Sequence, residues 1–135
     1  MPLEYRISRP DRLITVTAAG ETSEKEWMDL FLNIKSDPDR VEGMDFLFDL
    51  RENRTTVSDE YLWSISRRLI PMLTTRKTVK WAFITLREVS REKVEKFSRH
   101  LAASRNIEIR IFSEPDGGLG WIGEDKGLRH GDGQA

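Results

Sequence analysis

Asp49 and Arg51 stand two residues apart at the end of an apolar run, Asp45-Phe46-Leu47-Phe48-Asp49-Leu50-Arg51. Residues i and i+2 of a strand share a face, so the carboxylate and the guanidinium are expected together at one rim. The loop that follows, Arg54-Thr55-Thr56-Val57-Ser58, adds a cation and hydroxyls. A second apolar run, Val79 to Thr85, delivers Arg87 to the same rim. Arginine forks beside the free amides of helix starts at Ser58 and Ser90 are the chemistry of anion capture. Both offer directed N–H donors to phosphate or carboxylate. The candidate recognition patch is therefore Asp49, Arg51, Arg54, Ser58 and Arg87, with Asp49 orienting Arg51 or Arg87. A plainer reading stays open, in which Asp49 pairs with Arg51 or Arg87 only to tie a loop down.

The rest of the chain offers little for catalysis. His100 is the one histidine inside a predicted element, and it has no second histidine, cysteine or orienting carboxylate to make it a base or a ligand. Gly117-Gly118-Leu119-Gly120 has the glycines of a phosphate-binding loop but not its Lys-Ser/Thr ending, and reads as a loose C-terminal turn. The chain has no cysteine, which removes disulfides, thiolate metal sites and a thiol nucleophile together. There is no Gly-x-Ser-x-Gly elbow and no metal-ligand spacing. No catalytic residue, no metal and no cofactor is expected, and binding is favoured over an enzyme.

The elements that position these residues follow from periodicity. Leu3–Ser8 and Leu13–Ala19 read as strands joined by the turn Arg9-Pro10-Asp11-Arg12. Ser23 and Glu26 form a capping box that opens a first helix, with Trp27, Leu30, Phe31 and Ile34 on its core stripe. Asp45–Leu50 is a third strand. Ser58 caps a second helix striped by Leu62, Ile65, Leu69 and Leu73, which Pro71 kinks or ends. Val79–Thr85 is a fourth strand, and Ser90 is expected to cap a third helix, with Val89 and Val94 as its staple. The alternation of Ile107–Phe112 marks a half-covered edge strand. A short last helix is expected over 115–122.

The order β-β-α-β-α-β-α-β-(α) implies an α/β fold with a single mixed, mostly parallel five-stranded sheet. The short first turn makes the N-terminal strand antiparallel. At 135 residues one domain is expected, over 1–123, with 124–135 a disordered tail. With 22 basic against 23 acidic residues no global field recruits nucleic acid or an anionic membrane. No apolar run reaches the ~18 residues of a membrane span, and Met1–Arg6 shows no apolar signal core, so a cytoplasmic protein is expected.

Two pieces of this pattern resemble a known family. Gly43-Met44-Asp45 leading into Leu47-Phe48-Asp49-Leu50-Arg51, and Arg110-Ile111-Phe112 followed by Trp121-Ile122, are similar to the SpoIIAA-like group of the STAS superfamily (sulfate transporter and anti-sigma-factor antagonist domains). The element order matches over roughly residues 3 to 122. The resemblance implies that fold and a binding or regulatory role. In anti-sigma antagonists a serine at the start of the helix after the third strand is phosphorylated, and Ser58 lies near that location. The Asp-Ser-Ser-Gly-Leu-Gly pattern around it is absent, replaced by Arg54-Thr55-Thr56-Val57-Ser58-Asp59, which weighs against partner switching by phosphorylation.

Apolar residues beyond a single stripe point to a second surface. Met28 and Leu32 on the first helix, and Trp63 and Ile70 on the second, leave the main stripes and form either the expected homodimer or protein-partner interface or a wide stripe wedged between the sheet and a neighbouring helix. The alternative is a carrier of a small apolar or anionic ligand. The wider resemblance includes the CRAL-TRIO lipid-binding fold, and a pocket between helices and sheet is expected to be lined by Trp63, Trp81 and Phe83.

Overall fold

The computed structural model describes residues 3–54, 57–72, 78–101 and 106–134, with side chains of 69–72 and 125–134 outside that description. Thr55, Thr56, Leu73 and the side chains of Leu69 and Ile70 thus fall outside the described residues.

Two short strands open the chain, β1 (Leu3–Ser8) and β2 (Leu13–Gly20), joined by a turn in which the Arg12 amide donates to the Arg9 carbonyl at 3.2 Å. Five parallel-sheet elements follow in alternation: α1 (Glu24–Ser36), β3 (Asp45–Asn53), α2 (Asp59–Met72), β4 (Val79–Ile84) and α3 (Glu88–Leu101). The chain closes with β5 (Ile107–Phe112) and α4 (Pro115–Gln134). The sheet runs in chain order, β1-β2-β3-β4-β5, with β1 antiparallel to β2 and the rest parallel. This is the mixed, mostly parallel five-stranded sheet expected from the element order.

Each parallel strand is laid beside its predecessor in the same direction. Right-handed crossovers then place α1, α2 and α3 on one face. Strand alternation sends Phe46, Phe48 and Leu50 to that face, where they join Trp81, Phe83, Leu30, Phe31, Leu62, Ile65, Val94 and Phe97 in one cluster. Leu47, Ala82 and Ile84 point the other way and meet Trp121 and Ile122 of α4. Phe48, Trp81 and Phe83 are buried as expected of strands covered on both sides, and Ile109 and Ile111 of the edge strand are half-buried against the same cluster.

The helix starts test the capping arguments. At α1 the Glu26 amide donates to Ser23 Oγ at 3.1 Å, and the Ser23 amide donates back to Glu26 Oε1 at 2.9 Å. At α2 the Tyr61 amide donates to Ser58 Oγ at 3.0 Å. The third expectation fails. α3 begins at Glu88, so Ser90 is buried inside the first turn and Val89 is exposed rather than stapled to Val94. Thr85 Oγ1 instead accepts the Arg87 amide at 3.3 Å, which turns the chain into α3 two residues early.

The glycines near the C-terminus are a second correction. Gly117, Gly118 and Gly120 lie within α4, not in a loose turn. A Cβ on Gly118 would stand 2.9 Å from Ile84 Cδ1 and 3.0 Å from Leu47 Cδ1. Glycine is what lets α4 lie this close to the sheet. Lys80 fastens the same helix, its buried ammonium donating to the Trp121 carbonyl at 2.8 Å. The helix is longer than the short one expected over 115–122. No helix among the described residues is long and apolar enough to cross a membrane.

Candidate functional site

Asp49 and Arg51 do meet. β3 runs to Asn53, so both lie inside the strand rather than beyond it. Thr17 pairs with Asp49 and Ala19 with Glu52, which leaves β3 one residue longer than β2 across the same interval, a bulge. The Asp49 carboxylate clamps it. Oδ1 accepts the Arg51 amide at 3.1 Å and Nε at 3.0 Å, and Oδ2 accepts Nη2 at 2.8 Å. These bonds from Arg51, against the opposing cost of partial burial, hold the Asp49 carboxyl below its ordinary range.

The other candidates lie elsewhere. Arg87 donates through Nη1 to the Asn53 carbonyl at 2.9 Å, so Asp49 orients Arg51 and not Arg87. Arg54 is exposed and its amide closes on the Gly20 carbonyl at 2.8 Å. Ser58 is already occupied. Its amide and hydroxyl both donate to Glu24 Oε2, at 3.3 and 3.2 Å. The helix start expected to hold an incoming anion therefore holds one of the chain's own carboxylates. Asp49 alternates with Phe48 and Leu50, so it faces the α4 side, whereas Ser58 serves the opposite face.

That opposite face contains a cleft. α2 packs closely on α3 and only lightly on α1, and between them, above the ends of β3 and β4, lies a cavity of about 100 Å³. Its floor is Phe48, Leu50 and Phe83 from the sheet. Trp27 and Phe31 of α1 and Val94 and Phe97 of α3 form two walls. Val57 with Tyr61, Leu62 and Ile65 of α2 forms the third. Among the described lining residues, Asn53, Ser90 and Lys93 are polar and Tyr61 carries a hydroxyl. Of the side chains expected to line a pocket here, Phe83 does so, Trp81 lies fully buried outside the lining, and Trp63 is 52% exposed on the outer surface.

Polar ties hold the first turn of α2 over this cleft on both flanks. Toward α1, the Tyr61 hydroxyl donates to the Glu24 carbonyl at 2.8 Å, beside the two Ser58 bonds. Burial first, and then the Glu24 charge, push the Tyr61 phenol well above its ordinary value. Toward α3, Asp59 accepts Lys93 Nζ at 2.8 Å and Lys96 Nζ at 2.9 Å. Those two bonds, Lys93 first, pull the Asp59 carboxyl down to about 2. Behind the cleft, Trp27 Nε1 donates to Thr22 Oγ1 at 3.0 Å, and Thr22 donates to Asn53 Oδ1 at 3.2 Å.

This arrangement can hold an apolar body. The Tyr61 hydroxyl is bonded to a carbonyl and the Lys93 ammonium to an exposed carboxylate. Among the described residues no group of three or more potential metal ligands occurs. His100 meets the Trp63 ring edge-on at 5.2 Å, a packing contact. Sequence reasoning missed Trp27, Tyr61 and Lys93 as site residues. Tyr61 and Lys93 each lie in an early turn of a helix that follows a strand end, where open α/β sheets bind, and that position was the available signal.

No protein-family model matches the chain, and no curated protein does. The structure is similar to the crystal structure of an uncharacterised protein of the DUF3478 family with a SpoIIAA-like fold, from Shewanella loihica PV-4. The two share 14% sequence identity over 89% of this chain and 91% of that one, with a TM-score of 0.52. The chain has a SpoIIAA-like fold. The resemblance read from the strand ending in Arg51 and from the Trp121-Ile122 terminus is thereby supported at the level of architecture.

Proposed function

We propose that this protein works by binding and not by catalysis, and that it holds a small apolar ligand between α1, α2, α3 and the sheet. The observation that carries the reading is the cleft, whose described lining residues are mostly apolar or aromatic. Ligand sites of this kind are concave, mostly apolar and furnished with a few polar groups. Asn53, Ser90 and Lys93 supply those groups. Native mass spectrometry of the full chain purified from its own cells tests the proposal, backed by NMR titration with 2-phenylethanol. A bound small molecule, or saturable shifts at cleft amides that Val94→Trp abolishes by filling the space, is the expected result. A chain that carries nothing and shows no saturable shift overturns it.

A second reading rests on Trp63, which is 52% exposed with the Arg67 guanidinium 5.9 Å over its ring. Large exposed aromatics anchor interfaces, and Leu32 on α1 is also exposed. Met28 is half-buried against the core and contributes less free surface. On this reading the helical face docks a partner or a second copy, and Trp63→Glu yields a folded monomer by sedimentation. Wild-type protein that stays monomeric at high concentration removes the self-association form of it.

A further inference from the structure

We propose that the cleft's ligand is a small carboxylic acid with an apolar body of about one ring and a single anionic head seated at Lys93. This rests on the reading of the cleft as a ligand site. Lys93 is the one charged residue among those described that line it. Its ammonium is bonded to Asp59, but Asp59 is shared with Lys96, at 2.8 and 2.9 Å. Two cations thus divide one carboxylate, so Lys93 has its anionic partner only in common with Lys96. The Asp59 side chain is 58% exposed against 25% for Lys93. Asp59 is therefore the member free to turn outward. An incoming carboxylate takes its place on Lys93 while Lys96 keeps Asp59, and two cations then face two anions. Glu24 keeps its negative charge, but the Ser58 amide and hydroxyl hold its carboxylate on the α1 flank, whereas Lys93 stands on α3.

Ser90 lies three residues before Lys93 on α3, on the same side of the helix, and both line the cleft. A hydroxyl and an ammonium at that spacing suit the two oxygens of one carboxylate. The body is bounded by size. A volume of about 100 Å³ is of the order of the ~150 Å³ apolar cavity that accepts benzene. Phe31, Phe48, Phe83 and Phe97 give it aromatic walls. A single ring fills this space, and a long acyl chain exceeds it.

The test is a paired titration of the full chain at neutral pH, followed by NMR, with phenylacetate and 2-phenylethanol as probes of equal ring and different head. Phenylacetate is expected to bind about tenfold more tightly, the size of one charge-assisted hydrogen bond at a partly solvated site. Lys93→Met should erase that preference, weakening phenylacetate far more than 2-phenylethanol. Asp59→Asn acts in the opposite direction: it frees both lysines and should tighten phenylacetate several-fold relative to the neutral probe. Equal or better binding of 2-phenylethanol by the wild type overturns the acid head and leaves the cleft as a site. So does a preference that survives Lys93→Met or is untouched by Asp59→Asn. Shifts that map away from the cleft, or no binding of either probe, overturn this inference together with the reading beneath it.

Discussion

Gly118 and Gly120 sit two residues apart in α4, yet replacing each with alanine should affect stability very differently. Exchanging glycine for alanine in a helix interior gains about 1 kcal/mol from propensity alone. At Gly120 nothing stands within 4 Å of the new Cβ, so Gly120→Ala should keep most of that gain. At Gly118 the new Cβ meets Ile84 Cδ1 at 2.9 Å, Leu47 Cδ1 at 3.0 Å and Ala82 Cβ at 3.2 Å. Ile84 and Ala82 are completely buried, so these neighbours have little room to yield. Overpacking of this kind costs about 1–3 kcal/mol, which cancels or exceeds the propensity gain. Gly118→Ala should therefore be about 1–3 kcal/mol less stable than Gly120→Ala in urea denaturation. Equal stabilisation by the two substitutions would refute the docking of α4 through Gly118. The neutral comparison controls for changes in the unfolded chain, because both variants alter it alike.

Three further outcomes are expected. Phe48→Ala, which empties a position 1% exposed and in contact with Phe31, Phe46, Trp81 and Phe83, should cost about 3–5 kcal/mol by chemical denaturation, and an unchanged midpoint would contradict the assignment of β3 to the centre of the core. Asp49→Asn should cost about 1 kcal/mol after allowance for the exposure of Arg51, with most of that loss absent in an Arg51→Ala background; full additivity in the double-mutant cycle argues against the bulge clamp. Asp59 releases its proton more readily folded, at about 2, than at its ordinary 3.8, so its contribution is complete above 3.8 and drains as pH falls toward 2; the melting-temperature gap between wild type and Asp59→Asn should close over that window, and a constant gap speaks against the Lys93 and Lys96 bonds.

Much of the architecture was legible because local chemistry and global fold agree. The capping box at Ser23 and Glu26 and the apolar period of Leu30, Phe31 and Ile34 are properties of a few neighbouring residues, and they survive folding unchanged. The cleft was not legible. Trp27, Tyr61 and Lys93 come from three helices, and nothing in their separate stripes says that α2 stands off from α1. The rim patch was half legible. Asp49 and Arg51 pair across two residues, but the anion expected at Ser58 comes from Glu24, thirty-four positions away in sequence.

From sequence alone came the element order, the parallel character of the sheet, the antiparallel first strand and the buried run of β3, because period, turn chemistry and crossover length are local. Tertiary structure alone decided the strand order, the face each helix covers, the use of glycine to seat α4 and the place where the helices part to leave a cavity. Those depend on which surfaces meet at a distance. A residue's type states what it can bond, and only the fold states whether its partner is solvent, a ligand or another part of the same chain.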